Sequence, residues 1–120
     1  MTTRNKLFGN KTTKEDKYKG NSFDAGLILK QLGGNKFIAM TGAKNFVKDD
    51  KSKMIAFKIG RNSKNVNYVR IKLNSMDTYD MEFINMRAGK MTVRSKANGI
   101  YNDQLESVFT ENTGMYTKLF

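Results

Sequence analysis

The chain contains no cysteine and no histidine. Without cysteine, neither a disulfide frame nor a thiolate metal site can hold the fold together, so burial of apolar side chains must do it. Without histidine, the chain lacks the commonest general base, the commonest transition-metal ligand and the one side chain that titrates near neutrality when unperturbed. Most hydrolase and zinc-site chemistries are excluded on that ground. Long hydrophobic runs are also missing. The longest, Ala25 to Leu29, is interrupted by Gly26 and falls far short of the roughly 20 residues that span a bilayer. The N-terminal stretch MTTRNKLFGNKTTKEDKYKG is basic but has neither the apolar segment nor the small-residue cleavage site of a secretory signal, which points to the cytoplasm.

Acidic charge is scarce as well: eleven Asp and Glu stand against 22 Lys and Arg, leaving a net charge of +11. Self-repulsion on this scale weakens the compact state, while the same field attracts polyanions such as nucleic acid. The excess is uneven. Residues 1 to 20 and 51 to 80 hold most of it, so the field is expected to come from one arm and one central segment.

At 120 residues the chain has the length of one domain, and its 38% hydrophobic content suffices for one modest core. Residues 1 to 20 offer only Leu7, Phe8 and Tyr18 as apolar anchors, too few to offset the entropy of ordering, and read as a flexible basic arm. Residues 21 to 120 read as a single α+β domain. Within it, Ser22 is placed to cap a short N-terminal helix in which Phe23, Leu27, Ile28 and Gln31 recur at helical spacing before Gly33 and Gly34 end it.

From Asn35 the apolar period changes to two, and five strands follow: Lys36 to Ala43, Lys53 to Gly60, Val66 to Leu73, Tyr79 to Arg87 and Lys90 to Lys96. Their short connections predict an antiparallel five-stranded meander sheet. In the third strand Val69, Ile71 and Leu73 face the core while Tyr68, Arg70 and Lys72 face out. In the second, Ile55, Phe57 and Ile59 point inward. In the fifth, Met91 and Val93 lie opposite Lys90, Arg94 and Lys96, and the fourth is apolar on both sides. A C-terminal helix carries Leu105, Val108 and Phe109 in a stripe, with Asp103 and Glu106 as its capping box, Ile100 and Tyr101 as a staple and Gly114 as its stop. Met115, Tyr116, Leu119 and Phe120 are then expected to tuck back onto the sheet.

A sheet face that sets Lys and Arg beside an exposed Tyr suits single-stranded nucleic acid, because cations hold phosphates while rings stack on unpaired bases. Tyr68, Arg70 and Lys72 fit that description. Lys58, Arg61 and Lys64 extend it through the loop between the second and third strands, and Lys90, Arg94 and Lys96 add a further stripe. Alternating lysine also serves simply to solvate a strand and discourage edge pairing. The combination of charge excess, clustering and an interleaved tyrosine favours the binding surface.

Other motifs carry less. The glycines of LGGNKF and TGAKNF do not match the phosphate-loop spacing GxxxxGK[ST] and read as turns or strand ends. Asp77, Asp80 and Glu82 lack the glycine and closing glutamate of a calcium loop and are expected to pair with neighbouring basic strands. The eight methionines read as core filler. No nucleophile, base and orienting group share an interpretable spacing, so neither an enzyme, a cofactor nor a metal is expected.

The segments LGGNKFIAMTGAKNF, VNYVRIKLNSMDTYDMEF and YNDQLESVFTENTGMYTKL, over residues 27 to 119, resemble small uncharacterised proteins of phages and environmental viruses. That resemblance implies a phage or mobile-element origin and hence a host-cell cytoplasm, but no activity or site residues. The pattern of a curved sheet followed by a C-terminal helix is similar to the single-strand binders of the PC4, Whirly and Pur-alpha kind, which implies a homodimer. The expected partner is single-stranded DNA or RNA, bound without sequence preference and not through a membrane. Two alternatives stand beside it: a virus-encoded inhibitor docking on a host protein, and a virion or assembly protein pairing through strand edges.

Overall fold

In a computed structural model describing residues 23–117, three helices lie on one face of a five-stranded antiparallel sheet and leave the other face open. The expected basic arm of residues 1 to 20, the cap Ser22, and Leu119 and Phe120 lie outside the described residues. The order is α1 (Ala25–Leu32), α2 (Asn35–Thr41), β1 (Lys44–Asp49), β2 (Met54–Lys58), β3 (Tyr68–Leu73), β4 (Tyr79–Arg87), β5 (Lys90–Ile100) and, after a 3-10 turn at Asn102–Gln104, α3 (Leu105–Thr113). Strands pair in chain order, a meander. No helix among the described residues is long and apolar enough to cross a membrane.

The first expected strand is a correction. Residues Asn35–Thr41 form α2, bounded by Gly34 and by Gly42 in the left-handed conformation. Phe37, Ala39 and Thr41 fit a period of two, but Phe37 and Thr41 are also four apart, and both are buried from one helix face. The Thr41 hydroxyl donates to the Phe37 carbonyl at 2.7 Å, which ties off that turn. The strand lies instead at Lys44–Asp49, within the stretch read as a link. Every one of its residues is exposed, so no apolar alternation marks it.

In α1 the Asp24 carboxylate accepts from the Leu27 N–H at 3.2 Å and caps the helix. The buried stripe is Ile28 and Leu32, while Leu27 faces solvent. In α3 the buried positions are Leu105, Phe109 and Thr113. The box at its start is closed by Gln104 rather than Glu106, its Oε1 accepting from the Tyr101 N–H at 2.9 Å. Gly114, in the left-handed conformation, ends the helix as expected. Met115 packs against the core, whereas Tyr101 and Tyr116 are exposed, the former not a staple and the latter not tucked in.

The core joins the helices to the inner faces of β2, β3 and β4 through Ile55, Phe57, Val69, Ile71, Met81 and Phe83. Phe37 is its hub: its ring meets Phe57 and Phe109 edge-on, with centroids 5.6 and 5.1 Å apart. These contacts commit one sheet face to the helices, and the alternation of β3 therefore commits Tyr68, Arg70 and Lys72 to the other.

Candidate nucleic-acid interface

In a meander, alternate connections fall at the same end of the sheet. One end here holds the β1–β2 and β3–β4 turns with Asp49, Asp50, Asp77 and Asp80. The other holds the β2–β3 loop and the β4–β5 hairpin, and neither connection contains an acid. That second end gathers Lys44 and Lys58, which are directly opposed partners on β1 and β2. It also gathers Arg61 and Lys64 from the loop, and Arg87 and Lys90, opposed across the hairpin. Residues 23–117 carry fifteen Lys and Arg against nine Asp and Glu, so these six cations equal the whole surplus of the described chain.

Two adjoining concavities mark this end. One, of about 330 Å³, is lined by Lys44, Lys58, Tyr68, Met86 and Arg87 among others. The other, of about 510 Å³, is lined by Arg61, Asn62, Asn65, Asn85 and Arg87 among others. Asn67 and Arg87 belong to both. No Asp or Glu lines either one, and none of the six cations forms an ion pair among the described residues. Unpaired cations around a concave surface keep their charge available to an anion.

The loop that carries Arg61 and Lys64 is built by asparagine. Asn62 Oδ1 accepts from the N–H groups of Lys64 at 3.2 Å and Val66 at 3.0 Å. Its Nδ2 donates to the carbonyls of Gly60 and Val66. Asn65 takes the left-handed conformation at φ 57°, which asparagine tolerates better than most side chains. The Asn67 side chain bonds both backbone groups of Met86, at 2.9 and 2.7 Å, and so prolongs the β3–β4 ladder. Asn85 Nδ2 reaches the Asn65 carbonyl at 2.8 Å. The cations of this loop thus stand on an ordered frame, which lowers the entropy cost of engaging a ligand.

Nearer the middle of the open face the charge is compensated. Arg70 donates from Nε at 2.8 Å to Glu82 Oε1, with Nη2 2.6 Å from the same oxygen. Lys96 Nζ lies 3.8 Å from Glu82 Oε2. Lys72 is opposed to Asp80, whose Oδ1 accepts from Asn74 Nδ2 at 3.0 Å and from the Gly99 N–H at 3.1 Å. The concavity here, about 410 Å³, mixes Arg70, Lys72 and Lys96 with Asp80 and Glu82.

The nine residues singled out in the sequence therefore separate into groups. Lys58 and Tyr68, directly opposed on β2 and β3, meet in the acid-free concavity. Arg61, Lys64 and Lys90 surround that end, whereas Arg70, Lys72 and Lys96 share the compensated middle. Arg94 sits at a bulge in β5: Phe83 pairs with Ser95 but Ile84 pairs with Val93. The extra residue reverses the alternation. Met91 and Val93 consequently do not lie opposite Lys96, as the period implied, but share the open face with it, beyond Tyr68 and Ile84, and both are exposed.

Lys44 and Arg87 were missed because their place depends on strand order. Of the three clustered carboxylates, only Glu82 pairs with basic strands. Asp80 bonds to Asn74 and to backbone, and Asp77 supplies the left-handed position of the β3–β4 turn, at φ 62°. The glycine of TGAKNF ends a helix rather than a strand. Compared with known proteins, the chain matches no family model, no curated protein and no solved structure.

Proposed function

We propose that this chain binds single-stranded nucleic acid, DNA or RNA, without sequence preference, through the acid-free basic end of its sheet, and has no catalytic chemistry of its own. One observation carries the reading: four cations without ion-pair partners among the described residues, Lys44, Lys58, Arg61 and Arg87, line two adjoining concavities, one of them containing Tyr68, while Lys64 and Lys90 stand at the same end of the sheet. Phosphates would lie on Lys44, Lys58 and Arg87 while an unpaired base meets the tyrosine ring. The ordered loop would add Arg61 and Lys64. Lys72 and Lys96, beside carboxylates, are secondary, and Arg70 is held by Glu82.

The proposed compartment is the cytoplasm, that of a host cell if the resemblance to phage proteins reflects origin. Homodimerisation draws no support from the sheet edges. Both β1 and β5 carry an irregularity in register and lysines, which hinder edge pairing.

Retention of labelled oligonucleotides, as single-stranded DNA, duplex DNA and RNA, at two salt concentrations tests the proposal. Single strands are expected to be held at low salt and released steeply as salt rises, because cations on phosphate displace condensed counterions. Negligible retention at low ionic strength overturns it. A stoichiometric protein partner captured after nuclease treatment, together with absent retention, would favour the host-protein alternative.

A further inference from the structure

Beyond Tyr68, the open face continues as an apolar shelf. Tyr68 is opposed to Ile84 and Ile84 to Val93, while Met86 is opposed to Met91. Because strand partners share a face, these five side chains adjoin on the open side. Ile84 is fully buried there although it belongs to no helix-facing layer, and Met91 and Val93 are 47% and 42% exposed. A strand face whose only task is to meet water would alternate polar residues at these positions. Contiguous exposed apolar surface is instead the mark of an interaction site.

Its surroundings restrict the occupant. Lys44 and Lys58 border Tyr68 on the β1 side, Arg87 and Lys90 close the hairpin end, and Arg94 stands at the bulge beside Val93. The nearest carboxylate in register is Glu82, which is engaged with Arg70 and Lys96. An occupant must therefore be anionic along one side and flat and apolar on the other. Unpaired bases hanging from a phosphate chain combine both. A base-paired duplex presents phosphates with its bases enclosed and could use only the cations.

We infer that Met86, Met91 and Val93 extend Tyr68 into a base-binding shelf that accepts unpaired bases, with phosphates held by Lys58 and Lys44. From β3 to β5 is two strand spacings, roughly 10 Å, room for two or three bases. The bulge at Arg94 creates the shelf, since regular alternation would send Val93 into the helix-facing layer. The inference rests on the nucleic-acid reading and adds which part of the nucleic acid is recognised and where.

The test compares an oligothymidylate with an abasic oligomer of equal length and phosphate count, using the full chain and a Met91→Thr/Val93→Thr variant. Both positions are exposed and threonine suits a strand, so circular dichroism and melting should match wild type. The wild type is expected to bind the thymidylate about tenfold more tightly than the abasic strand. The variant should lose that preference while keeping its affinity for the abasic strand. Equal binding of the two strands by wild type, or an unchanged preference in the variant, overturns the shelf and leaves the cationic reading standing. If neither strand binds at low salt, the functional reading falls and the shelf with it. Should the variant convert a wild-type dimer to a monomer without altering the preference, the shelf is a self-association surface and the inference is overturned.

Discussion

Glu82 grips Arg70 across the β3–β4 pair, with one carboxylate oxygen 2.8 Å from Nε and 2.6 Å from Nη2. The contact draws a boundary on the open face, basic and acid-free on one side and compensated on the other. Glu82→Gln keeps the size and part of the hydrogen bonding but removes the charge that neutralises Arg70 and Lys96. Affinity for single strands should then rise several-fold at low salt, and the salt slope should steepen by up to about 0.7 for each additional phosphate engaged. Fluorescence anisotropy at three salt concentrations checks both. Weaker binding by a variant that folds normally would show that the pair supports the site instead of limiting it.

The β2–β3 loop depends on Asn62, whose side chain bonds Gly60, Lys64 and Val66. Asn62→Ala leaves several of those backbone groups without partners, at a cost of about 1–3 kcal/mol where they are buried. Chemical denaturation should register the loss. Oligonucleotide affinity should fall as well, because Arg61 and Lys64 lose their frame.

Phe37 anchors the segment after α1. As the buried hub of α2 it touches Phe57 and Phe109, and Phe37→Ala should cost about 3–5 kcal/mol. A strand in this place would tolerate Ala39→Pro no better than a helix, so the discriminating substitution is Gly42→Val. A β-branched residue favours strand but strains the left-handed position that ends α2, φ 69°. Loss of thermal stability in Gly42→Val is expected, and a gain would contradict the helix.

Burial raises the pKa of the Tyr79 hydroxyl above its ordinary value of 10.0, and the nearby Asp24 carboxylate adds to the rise. The unfolded chain ionises near 10 while the folded chain still holds the proton. The stability linked to the Tyr79 proton is therefore present below about pH 10 and is lost as pH climbs from there through the folded value. Melting curves between pH 9 and 11 should show a steeper decline for wild type than for Tyr79→Phe.

The parts of the fold that rest on apolar alternation were legible. β3 reads off YVRIKL directly, and the α3 stripe and its stop at Gly114 are plain. What escaped was decided by other forces. KNFVKD is an edge strand with every residue exposed, so its pairing leaves no apolar trace. NKFIAMT satisfies both periods, and packing of Phe37 selects the helix. The bulge at Arg94 exists only relative to β4, which no local pattern encodes. A third of the candidate site shared this fate, since Arg70, Lys72 and Lys96 look as free as Lys58 until register sets Glu82 and Asp80 among them. Yet one signal lay in the sequence unused. In a meander the alternate links share an end, and the acids of DDKSK and NSMDTYD fall on one parity while RNSKN and RAGK fall on the other.

The most direct test of the account is the salt dependence of single-strand binding in two charge variants of equal net charge. One carries Lys44→Gln, Lys58→Gln and Lys64→Gln at the acid-free end. The other carries Lys48→Gln, Lys51→Gln and Lys53→Gln around the opposite turn, next to Asp49 and Asp50. The first should lose affinity sharply and flatten its salt slope by about 2, and the second should stay close to wild type. Equal losses in both would mean that net charge alone governs binding, which contradicts a localised site.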